Sequence, residues 1–307
     1  MEIALVLHSK IKKNAKDGEK HSEVMTEIAN GARDWVGMIR RENKSVNLSV
    51  FSPTKSYADM REFYEIVNDL VYNHDFDAII LPFSFCRDEY ECHFDEYEDN
   101  FINALHRYDG GIVAINVPAT REAIDKINYI GYVGGNERIT GKILADQILS
   151  KKPDIKTVYI LNHKANHYGL KLRIQGVKNR LHGLYEEICI DPEKNGKDIS
   201  DIISEIKRDN RIHNLENNFG IITLGVRGTE MAMEIKKEMG IDFPIVGMDI
   251  NDKVRDAIKD GVVAYTIIQQ PAPYSQGWQA MAMAYNYLKD EMVKPKIISM
   301  DNWNEKI

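Results

Sequence analysis

Residues 220 to 271 read GIITLGVRGTEMAMEIKKEMGIDFPIVGMDINDKVRDAIKDGVVAYTIIQQP. Three apolar runs alternate here with two amphipathic helical runs, which close on Gly240 and Gly261, so the stretch spells two successive βαβ units. Apolar runs without polar alternation belong to strands covered on both faces, which requires a parallel sheet with helices packed above and below. In such open α/β sheets, ligands gather outside the carboxyl ends of the strands. Those ends carry Gly225 to Arg227, then Met248 and Asp249, then Gln269 and Gln270.

The same grammar extends outward in both directions. Towards the N-terminus, strand Ile3 to Leu7, helix Val24 to Arg41, strand Val46 to Phe51, helix Tyr57 to Tyr72, strand Ala78 to Leu81, helix Asp99 to Tyr108, and strands Ile112 to Asn116 and Asn128 to Val133 make up a first half. Helix Ile139 to Leu149, strand Thr157 to Leu161, helix Leu170 to His182, strand Glu187 to Ile190 and helix Asp198 to Arg208 lead into the opening stretch, and a helix Gln276 to Leu288 and a short strand near Ile297 close the chain. The segment FSFCRDEYECHFDEYEDN, residues 83 to 100, is longer than an ordinary strand-to-helix loop; its acidic run from Asp88 to Asp99 reads as a solvated loop. No Pro/Gly/Ser-rich linker separates the halves, which suggests two lobes with the chain crossing between them on extended segments.

The chain has 307 residues, more than one core usually fills, so two domains are expected. Charged residues make up 28% and apolar ones 43%, as in a globular protein. The net charge of −7 comes without a long basic run, which argues against nucleic acid as a partner. No stretch reaches the length of a membrane span, so no direct membrane insertion is expected. Met1 leads into the strand at Ile3 without the layout of a signal peptide, giving the expectation of either a cytoplasmic protein or an extracytoplasmic one whose export signal has been removed. Cys86, Cys92 and Cys189 imply no disulfide framework, and Cys86, Cys92 and His93 fit no zinc pattern, so neither metal nor cofactor is expected.

Four segments in order carry a family resemblance. They are VGGNERITG at Val133 to Gly141, KLRIQGV at Lys171 to Val177, IVGMD ending at Asp249, and TIIQQP with Gln269. From Ile3 onward the chain resembles the type I periplasmic binding proteins, the family of ribose- and galactose-binding proteins and of the ligand-binding core of lactose-repressor-type regulators. The resemblance implies two similar doubly wound parallel-sheet lobes joined by a three-segment hinge, with crossings near Gly134, Gln270 and Pro295. Residues 1–134 with 270–294 would form the N-terminal lobe, and residues 135–269 with 295–307 the C-terminal lobe.

It implies ligand roles for Asn116, Asn136, Glu137, Lys171, Arg173, Asp249 and Gln269, while Gly225 and Arg227 are ligand candidates by their place at a strand's carboxyl end. His8, Ser9 and Lys10 follow the first strand, where the fold aims a loop at the ligand. The family's aromatic stacking pair aligns with Val24 and Met25, leaving Phe83, Phe85 or Trp278 to stack on a sugar ring. The asparagine-aspartate pair after the GIITL-like strand is replaced by Gly225 and Val226.

On the residues alone, other roles stand beside these. Asp249 could satisfy an amide at the start of the helix at 252 to 259, Glu137 could cap the helix near Ile139, and Gln269 could be a turn residue. Lys171 could be a solvated charge and Arg173 a brace. The expected function is a receptor that captures a sugar-like ligand by hinge closure for a transporter permease or a sensor kinase. The alternatives are a regulator's ligand-sensing core, which would need a helix-turn-helix ahead of residue 1, or an enzyme, for which no glycine-rich phosphate loop and no GxSxG is present.

Overall fold

In the computed structural model, residues 1–11, 22–42, 44–54, 60–83, 96–163, 167–190, 197–212, 218–289 and 296–300 are described. The described chain divides into two compact units, Met1–Gly135 with Gln270–Met300, and Asn136–Gln269. Each is a parallel α/β sandwich.

The first unit contains strands β1 (Glu2–Val6), β2 (Asn47–Phe51), β3 (Ala78–Leu81), β4 (Gly111–Ile115) and β5 (Tyr129–Gly135). Its helices are α1 (Glu23–Arg41), α2 (Met60–Asn73), α3 (Glu96–Arg107) and α4 (Arg121–Lys126). The second unit carries α5 (Glu137–Lys151), β6 (Thr157–Asn162), α6 (Tyr168–Leu181), β7 (Tyr185–Cys189), α7 (Ile199–Ile212), β8 (Phe219–Thr223), α8 (Val226–Met239), β9 (Ile245–Met248), α9 (Asp252–Lys259) and β10 (Tyr265–Ile267). Then α10 (Pro273–Leu288) and β11 (Lys296–Met300) return to the first unit. The sheets run β11-β5-β4-β3-β1-β2 and β10-β9-β8-β6-β7, and the described strand pairings are parallel. All strand carboxyl ends of a unit therefore lie on one edge.

Successive strand residues point to opposite faces, and that sorts each unit's core into two layers. Ile3, Leu5 and Leu7 pack under α1 and α10, while Ala4 and Val6 face Phe63, Val67 and Phe101 of α2 and α3. In the second unit Tyr159 and Leu161 face α7 and α8, and Val158 and Ile160 face α5 and α6. The two helices of the opening stretch end as read, with Gly240 and Gly261 at φ 63° and 74°, a conformation that costs glycine nothing.

Three features differ from the sequence reading. Helix α4 was not anticipated: its six residues, of which only Ala123 is buried, are too few to show a period. The acidic run's last residues, Glu96 to Asp99, open α3 instead of continuing a loop, and residues 84–95, with Phe85, Cys86 and Cys92, lie outside the described residues. Strand β11 pairs with β5, so residues 296–300 belong to the first unit and not to the C-terminal lobe. The third crossing expected near Pro295 lies outside the described residues, which stop at 289 and resume at 296.

Both units also build one helix crossing on a reciprocal glycine pair. A Cβ on Gly31 of α1 would lie 1.9 Å from the Tyr274 carbonyl oxygen, and one on Gly277 of α10 1.9 Å from that of Ile28. A Cβ on Gly141 of α5 would lie 1.9 Å from the Arg173 carbonyl oxygen, and one on Gly176 of α6 2.1 Å from that of Arg138. Each glycine faces the backbone three residues before its partner. Two alanine substitutions in α1 should therefore have opposite signs. Gly31→Ala forces the helices apart and should cost roughly 1–3 kcal/mol, whereas Gly37→Ala meets nothing within 4 Å and should gain up to about 1 kcal/mol from helix propensity. Urea unfolding of the two variants measures the difference.

Candidate functional site

The carboxyl edge of the second unit holds a buried ionic cluster. Arg173 rises from α6, and its Nε and Nη2 donate to Glu137 Oε2 at 2.8 and 2.5 Å. Its Nη1 donates to the Leu224 carbonyl, just past β8, at 2.5 Å. The two side chains are 6% and 4% exposed. The glycine crossing of α5 and α6 makes this possible, because it brings the first turn of α5 against the backbone at Arg173. Arg173 is thus a brace that joins α5, α6 and the end of β8.

Asp249 follows β9 and is half-buried. Burial pushes its carboxyl above the ordinary range, while the charge of Arg173 and the backbone N–H of Gln269, which donates to it, pull the other way. Burial likewise raises Glu137, opposed by Arg173 and reinforced by Asp249. The Arg173 guanidinium bonds Glu137, and its charge acts on Asp249 as well. A carboxyl whose folded pKa is raised contributes stability that is fully present below its unfolded pKa and is lost as pH rises through the folded value. The unfolding free energy of the wild type relative to Glu137→Gln should therefore fall as pH climbs from the carboxylate range through the raised pKa, as denaturant titrations at a series of pH values would record.

Helix capping is done by other residues than the sequence suggested. Asn136, not Glu137, caps α5, accepting from the Ile139 N–H at 3.2 Å. Asn251, not Asp249, caps α9, accepting from Val254 at 2.9 Å. Among the described residues, the Asp249 carboxylate is met by the Gln269 amide and the field of Arg173. Gln269 is 9% exposed and supplies that amide at the last position of the unit. Lys171 is half-buried on α6, Gly225 is the N-cap residue of α8, and Arg227 is exposed on α8.

In the first unit Asn116 follows β4 and is half-buried. Asn116 and Asp249 share an uncommon conformation, with φ of 63° and 65°. The left-handed region costs most L-residues about 1–2 kcal/mol and is entered most readily by Asn and Asp. The Asn116 N–H donates to Val133 at 3.0 Å and the Asp249 N–H to Ile267 at 2.7 Å, each acceptor lying on the neighbouring strand. The two units thus put a polar side chain at the same place on their carboxyl edges.

His8, Ser9 and Lys10 are 9%, 4% and 8% exposed after β1. The Lys10 ammonium donates to the Thr54 carbonyl at 2.8 Å, which ties this turn to the segment after β2. Phe83 is a core residue, with its ring 6.0 Å from that of Phe101, and Trp278 packs against the core under α1 and α10. Both aromatic rings serve packing inside the first unit. Among the described residues no cluster of three or more His, Cys, Asp or Glu side chains could hold a metal ion. No described helix is long and apolar enough to cross a membrane.

A family model described as periplasmic binding protein domain matches residues 107–292. Among solved structures, the chain is similar to a glucose-galactose binding protein from Geobacillus stearothermophilus, at 14% identity and TM-score 0.73, covering 98% of this chain and 95% of that one. It is similar to a carbohydrate transporter protein from Acidothermus cellulolyticus in complex with myo-inositol, at 19% identity and TM-score 0.66, covering 97% and 91%. A putative LacI transcriptional regulator from Bacteroides fragilis shares the fold at 16% identity and TM-score 0.65, covering 97% and 94%. No curated protein matches the sequence.

Proposed function

Because this chain belongs to the periplasmic binding protein domain family, we propose that it is a receptor that captures a small hydroxylated solute, a sugar or sugar-like polyol, and releases it unchanged. The observation that carries the reading is Asp249. Its carboxylate stands at the carboxyl end of β9, engaged by one backbone amide and oriented by the charge of Arg173. A carboxylate with lone pairs to spare accepts from adjacent hydroxyls, and the remaining donors and acceptors of a buried polyol need partners of the kind that Asn116 offers. In this reading Glu137 and Asp249 offset the charges of Arg173 and Lys171, so that the second unit's edge suits a neutral ligand better than an acidic one.

In this proposal closure on the ligand follows from the ligand's higher affinity for the closed state. The chemistry asked of the protein is recognition, so no nucleophile or general base has a role. The partner that receives the solute would be the permease of an ABC-type transporter, or a sensor kinase that reads the closed form, with the protein on the extracytoplasmic side. The resemblance of the sequence to sugar receptors and the sugar- and inositol-binding proteins that share its fold support that assignment.

A thermal-shift screen with D-glucose, D-galactose, myo-inositol and D-glucuronate, followed by small-angle scattering with the best hit, tests the reading. The neutral compounds should raise the melting temperature more than the acid does, and the radius of gyration should shrink on binding. A preference for D-glucuronate, or an unchanged radius at saturation, would contradict it.

A further inference from the structure

We propose that Thr266 and Tyr132 are positioning residues for ligand recognition, one in each unit, which lock Asp249 and Asn116 in the left-handed conformation that sets the direction of their side chains. The inference rests on the reading of Asp249 and Asn116 as ligand residues. The two left-handed residues are held alike. The N–H of each bonds to a carbonyl on the adjacent strand, at Ile267 for Asp249 and Val133 for Asn116. The residue just before that acceptor returns a side-chain hydroxyl to the carbonyl of the left-handed residue: Thr266 Oγ1 to Asp249 O at 3.0 Å, and Tyr132 Oη to Asn116 O at 3.1 Å. Consecutive residues of one strand thus grip both peptide groups of the site residue.

The arrangement opposes a particular motion. An L-residue relaxes out of the left-handed region by turning its peptide groups, and the carbonyl is free to turn unless something holds it. A hydroxyl donor on the adjacent strand is such a holder. Thr266 and Tyr132 are 8% and 5% exposed, so water competes weakly for these bonds. A threonine in one unit and a tyrosine in the other place a hydroxyl at the same point, although the side chains differ in size and shape.

The first unit adds a further link. Tyr132 Oη also lies 3.0 Å from the carbonyl of Gly135, the last residue before the chain leaves that unit. A phenol has one hydrogen to donate, so it serves either Asn116 or Gly135 at a given moment. Gly134 keeps the place open, since a Cβ there would lie 2.0 Å from the Tyr132 oxygen. The hydroxyl that steadies Asn116 is therefore shared with the segment at the crossing.

The test compares Thr266→Val, Thr266→Ser and Tyr132→Phe in the full chain. The readouts are the backbone chemical shifts of Asp249 and Asn116, and the affinity for whichever of D-glucose, D-galactose and myo-inositol the wild type binds best. Thr266→Val should move the Asp249 shifts away from left-handed values and weaken binding about three- to tenfold, the worth of one hydrogen bond. Thr266→Ser keeps the hydroxyl and should restore both, a rescue that a packing role for the Thr266 methyl would not give. Tyr132→Phe should act on Asn116 in the same way. If the wild type binds none of the three compounds, the receptor reading falls and the shifts alone judge the lock. Unmoved shifts in Thr266→Val and Tyr132→Phe, or moved shifts with unchanged affinity, would overturn the proposal.

Discussion

Replacing Arg173 with alanine should lower the unfolding free energy by roughly 3 to 5 kcal/mol, the usual consequence of removing one partner from a buried ion pair. The reason lies in what stays behind. Glu137, 5% exposed, would keep its carboxylate without the guanidinium that bonds it twice, and the Leu224 carbonyl would lose its donor. Protonating Glu137 would relieve part of this cost, so the variant should lose less at mildly acid pH than at neutral pH. Replacing both Arg173 and Glu137 by methionine removes the charges together and should come much closer to the wild type, because a well-packed apolar pair is often as stable as a buried ionic one. Urea unfolding followed by circular dichroism gives the comparison. A loss below about 1 kcal/mol in Arg173→Ala, in the range of exposed ion pairs, would show that the pair is solvated in solution.

Asp249→Ala is expected to weaken sugar binding by roughly 2 to 5 kcal/mol, about thirtyfold to several thousandfold. Part of any effect would be conformational. At φ 65° an alanine pays about 1–2 kcal/mol that aspartate, which enters this region more readily, partly escapes. Asp249→Asn separates the contributions, since asparagine tolerates the same backbone and keeps the volume while removing the charge. If the carboxylate grips hydroxyls, Asp249→Asn should lose most of the affinity with its melting temperature near that of the wild type, whereas Asp249→Ala should lose both affinity and stability. Calorimetric titrations and thermal melts of both variants measure this. Full binding by a folded Asp249→Asn would remove the carboxylate from the site.

How much of this was legible in the sequence depends on how local each feature is. Strands such as Ile79 to Leu81 and Ile221 to Ile222 announce themselves because each is buried on both faces and so reads as an unbroken apolar run. Helix α4 has no such pattern at six residues, and β10 shrinks to Tyr265–Ile267 because Val262 and Val263 turn back to the Ala257 carbonyl. The pairing of β11 with β5 joins residues more than a hundred positions apart, and nothing in the local sequence names a strand's partner.

The site divides in the same way. Asn116 and Asp249 could be found as polar residues at the ends of apolar strands, whereas the bond between Arg173 and Glu137 could not. It depends on a helix crossing whose only trace is a glycine three residues after an arginine in both helices, RITG at Arg138 to Gly141 and RIQG at Arg173 to Gly176. The hydroxyl locks left still less of a signal. Thr266 and Tyr132 lie inside strands, where threonine and tyrosine are ordinary residues, and only the positive φ of the residue they hold gives them a role.

The central claim is reversible capture of a neutral hydroxylated solute, and isothermal titration of the unaltered chain with D-glucose, D-galactose and myo-inositol, with mass spectrometry of the recovered compound, tests it most directly. The account predicts saturable binding of at least one of them at one site per chain, with the compound recovered intact after prolonged incubation. Conversion of the compound beyond one equivalent per chain, or the absence of heat with all three, would contradict it.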